Sequence, residues 1–312
     1  MCGGIPIIAT LQTSYPADTI TSLTGIFNGT TNFILSKMES GGSYASILKE
    51  AQDMGYAEAD PTADVEGHDA RAKALILSRL AFGVGMTIND IPTVGITSVS
   101  SIDFEYAKLM GMTIRLLGVA RRNRNLEEFD GPLSVSVSPH LVPVGSVFGQ
   151  TYGGNNAVVI RSKNLGTSTY TGPGAGRFET ANSVVADIVR IGQVVEAGGI
   201  DMGTQSKAEY AFPNRMTQDD IGTKVDKDYQ GTFYVRITIS DCVGIVRSVG
   251  EIAEKHNVSI NQILQNKITD RSDCSFVVTT EEAAWTEVKG MTNDIQKQEF
   301  CKEVFVLPIF EQ

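Results

Sequence analysis

From Thr232 to Ile309 two sequence periods succeed one another in a fixed order. Thr232 to Ile239 reads as a strand, Gly244 to His256 as a helix, and Ser259 to Asn266 and Ser275 to Thr279 as two further strands. Glu281 to Lys297 reads as a second helix and Lys302 to Ile309 as a last strand. Strand–helix–strand–strand–helix–strand is the order of the ferredoxin-like unit, at a length suited to one small domain. Residues 231–312 are thereby accounted for, and the longer remainder must hold a core of its own.

That remainder also mixes the two periods. Thr24 to Phe27 reads as a strand feeding a helix from Gly29 to Met38. Tyr44 to Met54 reads as a helix stopped by Gly55, and Asp69 to Phe82 as another. Between them Tyr56 to Gly67 is acidic and turn-like. Ile114 to Val119, Leu133 to Val137, Ala157 to Ile160 and Thr167 to Tyr170 read as strands, and Thr180 to Ile191 as a helix. The expected fold class is therefore α/β. It comprises a mixed-sheet domain over 1–200, a polar connection over 201–230 and the ferredoxin-like domain over 231–312.

Composition narrows the function classes. With 26 basic and 36 acidic residues the formal charge is −10, which argues against a nucleic-acid partner; Arg121, Arg122 and Arg124 read as a solvated turn. The four cysteines, at 2, 242, 274 and 301, are too scattered for a metal or redox motif, and free buried thiols are expected. No run of 18 apolar residues, basic signal start or transit segment is present. A soluble, cytoplasmic chain without a membrane partner is the expectation. Met1 and Cys2 lead at once into Gly3-Gly4-Ile5-Pro6-Ile7-Ile8, the look of a chain that starts in mid-domain.

The densest chemistry lies between Tyr56 and Lys73, where Glu58, Asp60, Asp64 and Glu66 crowd a Pro- and Gly-containing loop. The helix that follows places Asp69 and Lys73 four apart, on one face. Such a block suits a zwitterionic substrate: carboxylates hold an ammonium, and Lys73, tuned by Asp69, moves a proton at a reacting oxygen. It also suits an acidic surface loop with one exposed ion pair. Gly29-Thr30-Thr31-Asn32 offers helix N–H groups and hydroxyls to a carboxylate, or else simply caps its helix. Gly172-Pro-Gly174-Ala175-Gly176 fails as a dinucleotide fingerprint, because Arg stands at 177, yet it permits close approach of another domain. The histidines at 68, 140 and 256 are too far apart for a local metal motif. In the last domain Asp241-Cys-Val-Gly244 could present a carboxylate and helix N–H groups to a free amino acid, or serve as a structural turn alone.

Taken in order, Gly-Gly-Ile-Pro-Ile-Ile, Asn28-Gly-Thr-Thr-Asn32, Gly55-Tyr-Ala-Glu-Ala-Asp-Pro with Asp64, Gly67, Asp69 and Lys73, Gly95-Ile-Thr, Asn156-Ala-Val and Gly172-Pro-Gly-Ala-Gly resemble the catalytic region of homoserine dehydrogenase. The terminal unit resembles the ACT domain that closes the monofunctional members. The resemblance implies NAD- or NADP-dependent interconversion of homoserine and aspartate semialdehyde, in threonine and methionine synthesis. It implies Lys73 as the acid/base group oriented by Asp69, Glu58 and Asp64 on the ammonium, and Thr30 and Tyr56 lining the site. Gly174 and Ala175 would pack against the nicotinamide, and the backbone carbonyls of Gly3 and Ile5 would match part of a sodium site. Asp241 and Gly244 would take an effector, threonine first among candidates, and the assembly would be a homodimer or higher homo-oligomer.

Family members begin with a nucleotide-binding domain of somewhat more than 100 residues that this sequence does not show. Glu179 also stands where the family more often has Pro. The expectation is an enzyme inactive as an isolated chain. A non-catalytic amino-acid-binding regulator that retains the ACT unit is the alternative.

Overall fold

The computed structural model describes residues 1–122, 132–196 and 225–310. Helix α1 (Ile7–Ser14) precedes strand β1 (Ile20–Ile26), α2 (Gly29–Glu39), α3 (Tyr44–Asp53), the short α4 (Thr62–Val65), α5 (His68–Phe82) and α6 (Ser101–Leu109). Strands β2 (Met112–Arg122), β3 (Leu133–Pro143), β4 (Asn155–Ser162) and β5 (Gly166–Pro173) follow, and then α7 (Arg177–Glu196). The last unit runs β6 (Gln230–Ile239), α8 (Ile245–Lys255), β7 (Ile260–Gln265), β8 (Cys274–Thr280), β9 (Ala283–Ala284), α9 (Trp285–Gln296) and β10 (Cys301–Ile309).

The described strands form one sheet in the order β5-β4-β1-β2-β3-β10-β6-β8-β7, with β9 paired to β6 off that path. All pairings are antiparallel except one: β3 and β10 run parallel where Leu141 meets Ile309, and Phe310 donates its N–H to the Leu141 carbonyl at 2.8 Å. That junction makes the sheet mixed and carries it from the first half of the chain into the last.

Helices α2, α5 and α6 cover one face of the first half, and their apolar sides merge with Leu23, Ile114, Leu116, Val158 and Ile160 in one core. Tyr234, Val277, Phe305 and Leu307 of the last unit belong to that same core. The opposite face of the last unit's sheet is packed with α8 and α9 around Val249, Val288 and Met291. A buried polar network also ties the two halves. Asp103, fully buried, caps α6 by accepting from the Ser100 N–H and hydroxyl, and it also accepts from Tyr234 Oη and Arg236 Nε, both at 2.8 Å. Arg236 reaches on to Glu303 at 2.9 Å.

Several expectations need correction. Helices α1 and α6 were not anticipated. α1 has no side-chain cap to announce it, whereas α6 carries a Ser100–Asp103 capping box. Arg121 and Arg122 end strand β2 instead of forming a solvated turn: Arg121 donates to the Gln230 carbonyl and Arg122 stacks over Phe82. Arg124 lies outside the described residues, as does most of the expected 201–230 connection. The Tyr56 to Gly67 stretch contains the one-turn α4, and α9 starts at Trp285 because Ala283 and Ala284 pair with β6. The thiols are free, but Cys242 is exposed and only Cys2 is fully buried. No described helix is long and apolar enough to cross a membrane.

Candidate active site

Strand β1 delivers the chain to Phe27 and Asn28 at the sheet's end, beside the start of β4. Asn28 then does three jobs. Its Oδ1 accepts the Thr31 N–H at 2.8 Å, which caps α2. Its Nδ2 donates to Asp64 Oδ1 at 2.6 Å and to Asp69 Oδ2 at 2.9 Å, so one buried amide gathers two carboxylates from α4 and the head of α5. Gly67 makes the tight entry to α5 possible, because its φ of +76° is a left-handed conformation open to glycine.

One turn into α5, Lys73 completes the cluster. Its Nζ lies 2.7 Å from Asp69 Oδ2 and donates to the Phe27 carbonyl at 3.0 Å. The i,i+4 spacing read from the sequence thus becomes a half-buried pair with a second, tertiary anchor, the feature a solvated helix pair lacks. Burial raises the Asp64 carboxyl above its ordinary value and the Asp69 charge adds to that, while Asn28 and Lys73 pull it back. Burial likewise raises the Cys2 thiol, against the opposing pull of Lys73 and the Asn156 amide.

These groups open onto a cleft of about 770 Å³. Thr30, Tyr56, Glu58, Asp64, Asp69 and Lys73 line it, and Gly174 and Ala175 face them across it. Thr30 donates its hydroxyl to the Tyr56 carbonyl at 2.6 Å, and the Tyr56 ring stacks on Phe33 at 4.8 Å, so both are fixed. Glu58 is exposed at the rim. Asp60, also at the rim, accepts from the Thr62 N–H and hydroxyl and starts α4.

The Gly174 N–H donates to the Gly154 carbonyl at 3.0 Å, and a Cβ at 174 would meet Asn156 Oδ1 at 2.4 Å. Only glycine fits there, because the loop is packed directly against Asn156 and Gly154. Gly3 lies behind this loop, with Gly4 donating to the Pro173 carbonyl at 2.8 Å. The Ile5 carbonyl accepts the Ile7 N–H at 2.8 Å. Among the described residues no group of three or more His, Cys, Asp or Glu is placed to hold a metal ion.

All eight residues expected at the substrate and nicotinamide positions therefore meet in one cleft. Asp241 and Gly244 are elsewhere, at the turn into α8. The Asp241 carboxylate stands 3.8 Å from Arg271 Nε, and Gly244 adopts φ +96°. Sequence reasoning did not single out Asn28 as the bridge between Asp64 and Asp69, nor the Tyr152–Asn155 turn that forms another wall. Asn28 stands inside a quoted motif, but its tertiary role has no local signal. The expectation of a core or solvated role for histidine holds at His140, which is buried with its pKa lowered to about 4 by desolvation.

Comparison with known proteins identifies a family. The homoserine dehydrogenase family profile matches residues 6–189. A homoserine dehydrogenase of Neisseria gonorrhoeae is 36% identical over 292 residues, covering 93% of this chain and 64% of that protein. The crystal structure of a homoserine dehydrogenase from Thiobacillus denitrificans superposes with a TM-score of 0.85 at 31% identity, covering 99% of this chain and 68% of that one. A hyperthermophilic archaeal homoserine dehydrogenase mutant in complex with NADPH matches with a TM-score of 0.50 at 30% identity, over 61% of this chain and 52% of that one. The chain thus spans about two thirds of the length of such relatives, and just under that of the Neisseria protein.

Proposed function

Because the chain belongs to the homoserine dehydrogenase family, we propose that its cleft binds homoserine and aspartate semialdehyde and carries the acid/base step of their interconversion. The observation that carries this reading is the Asn28–Asp64–Asp69–Lys73 cluster, with Glu58 at the rim. Asp64 and Glu58 hold the ammonium. Held between the Asp69 carboxylate and the Phe27 carbonyl, the Lys73 ammonium gives its proton to the semialdehyde oxygen as hydride reaches the carbonyl carbon, and in the direction of oxidation the neutral amine takes the hydroxyl proton back. Thr30 and Tyr56 shape the pocket around the carbon chain.

NAD or NADP, when bound, supplies the hydride acceptor. Gly174 and Ala175 line the cleft together with Lys73, which supports a nicotinamide placed against them. The Gly172–Gly176 turn between β5 and α7 has Arg177 where the pyrophosphate fingerprint needs glycine, so what fits here is the reactive end of the cofactor. Sodium at the Gly3 and Ile5 carbonyls belongs to the same proposal, as does a homodimer formed through the sheet.

The terminal unit we read as an ACT domain. In its own order its four long strands stand 4-1-3-2, from β10, β6, β8 and β7, with both helices on one face, the arrangement of a ferredoxin-like fold. Threonine at Asp241 and Gly244 is the proposed effector.

Calorimetric titration of homoserine into the chain tests the substrate assignment. Saturable binding that Lys73→Ala and Asp64→Asn each weaken is expected. Wild-type binding unaffected by either substitution would remove the cleft from the proposal.

A further inference from the structure

Asn156 breaks the pattern of its strand. On β4 it shares a face with Val158 and Ile160, whose side chains enter the main core, and it is itself fully buried. An aliphatic residue would satisfy that alternation without the cost of burying an amide. The amide is moreover incompletely used: Nδ2 donates to the Phe27 carbonyl at 3.3 Å and the amide also meets the Cys2 thiol, while Oδ1 is buried without a hydrogen-bond partner. Such an incompletely satisfied buried group calls for an explanation.

The Phe27 carbonyl is the atom that also accepts Lys73 Nζ. It therefore holds two donors, one from β4 and one from α5. Asn156 is fixed in turn: β4 pairs with the end of β1 through Ala157 and Ile26 and with β5 through Asn156 and Gly172, and Gly174 is packed against Oδ1. Rotating the amide would bring its oxygen to the Phe27 oxygen, so the amide presents its donor end to the carbonyl that anchors the lysine.

We propose that Asn156 is a positioning residue for Lys73, acting through the Phe27 carbonyl. This rests on the reading of Lys73 as the group that meets the homoserine hydroxyl. The amide holds the carbonyl, and the carbonyl with Asp69 holds the ammonium at the cleft, so Asn156 never touches the ligand.

Asn156→Val separates this role from a structural one, because valine suits the core-facing position. The variant is expected to melt no lower than the parent while its homoserine Kd rises about tenfold, the scale of one lost hydrogen bond to a charged group's anchor. Lys73→Met also weakens binding, and in that background Asn156→Val is expected to change Kd less than about twofold. Equal losses in both backgrounds overturn the proposal, since the amide would then act on the fold or on the ligand directly.

A readout without ligand keeps the two readings distinguishable. In protein carrying isotope-labelled lysine, the side-chain ammonium correlation that Lys73→Met deletes is expected to shift or broaden in Asn156→Val and in Asn156→Asp. If the parent takes up no homoserine, the substrate assignment fails, and the ammonium signal alone decides this inference. An unchanged Lys73 signal in Asn156→Val overturns it.

Discussion

The Tyr56–Lys73 block and the Asp241–Gly244 turn advertise similar chemistry, a carboxylate near the first turn of a helix, yet the fold treats them differently. At the block, α2, α4 and α5 bring side chains together so that Asp64 and Asp69 share Asn28, and Lys73 meets both Asp69 and the Phe27 carbonyl. At the turn, Asp241 faces Arg271 at 3.8 Å, a side chain 87% exposed, and the neighbouring Val243 lies open to solvent. A local signature becomes a candidate site where tertiary contacts give each polar group a second partner. At the terminal turn that second partner would have to come from a ligand. The buried Asp103–Arg236–Tyr234 network joins the two halves of the chain that carry them, through α6 and β6.

Breaking that join carries the largest expected effect. Asp103→Ala leaves Arg236 with Glu303 as its one carboxylate and Tyr234 without its acceptor, a change that costs about 3 kcal/mol, the lower end for breaking a buried pair. Denaturant unfolding followed separately in each half checks it. A loss felt by both halves is expected, and an unchanged midpoint would show that the two regions are energetically independent. Next in size is Lys73→Ala, which, in a chain completed with a nucleotide-binding domain, is expected to lower kcat for homoserine oxidation by about 100-fold or more. Glu58→Ala, at the exposed rim, acts mainly on KM, because an ammonium anchor serves ground and transition states alike. Steady-state kinetics of both variants separate the roles. Near-normal turnover in Lys73→Ala would reduce the pair to a structural contact.

How much of this could be read beforehand differs by region. The βαββαβ order of residues 232–309 was legible because short strands and helices alternate with clear punctuation. The Asp69–Lys73 pair was legible because helix geometry fixes which residues four apart share a face. Strands β2 and β3 run further than read, because Arg121, Arg122, Pro139 and His140 look like interruptions until their partners across the hairpin are known. Helix α6 had a usable signal in Ser100 and Asp103, but Asp103 spends its second oxygen on another domain segment, which no local pattern reveals. Asn28 and Asn156 were equally hidden as site-builders: an asparagine's neighbours along the chain do not say which carbonyl or carboxylate, 36 or 129 residues away, it will meet.

Acid dependence sharpens the comparison on a smaller scale. Burial raises the Asp64 carboxyl, with Asp69 adding to it, so its ionised form disappears at a higher pH than for an ordinary carboxylate near about 4. For stability the sign is that of a raised acid. The folded state holds this proton more firmly, and Asp64's favourable contribution is lost as pH rises through the folded value. For binding the sign is opposite, since the ammonium needs the anion. Homoserine affinity is expected to begin falling on acidification while exposed carboxylates are still ionised. Asp64→Asn should weaken binding about tenfold at neutral pH and flatten that limb. Calorimetry across the acid range decides it, and an unaltered profile in Asp64→Asn would assign the limb to another group.

The smallest effect concerns the terminal turn, where the question is whether a half-buried carboxylate and one helix start suffice for a ligand. Threonine bound only to the folded state stabilises it by RT ln(1 + [L]/Kd), about 1.4 kcal/mol at ten times Kd. Gly244 holds φ +96°, a conformation that a β-branched residue resists, so Gly244→Val is expected to abolish the stabilisation by displacing the turn. Asp241→Ala tests the same site with less strain on the backbone, and it should remove the ligand effect while the unliganded melting point stays close to the parent's. Thermal melts with threonine, isoleucine, methionine and lysine in turn make the measurement. A threonine shift that survives Asp241→Ala would move the effector to another part of the molecule. No shift with any of the four would leave the unit as a structural partner of the first half, which the shared sheet and the Asp103 network already make it.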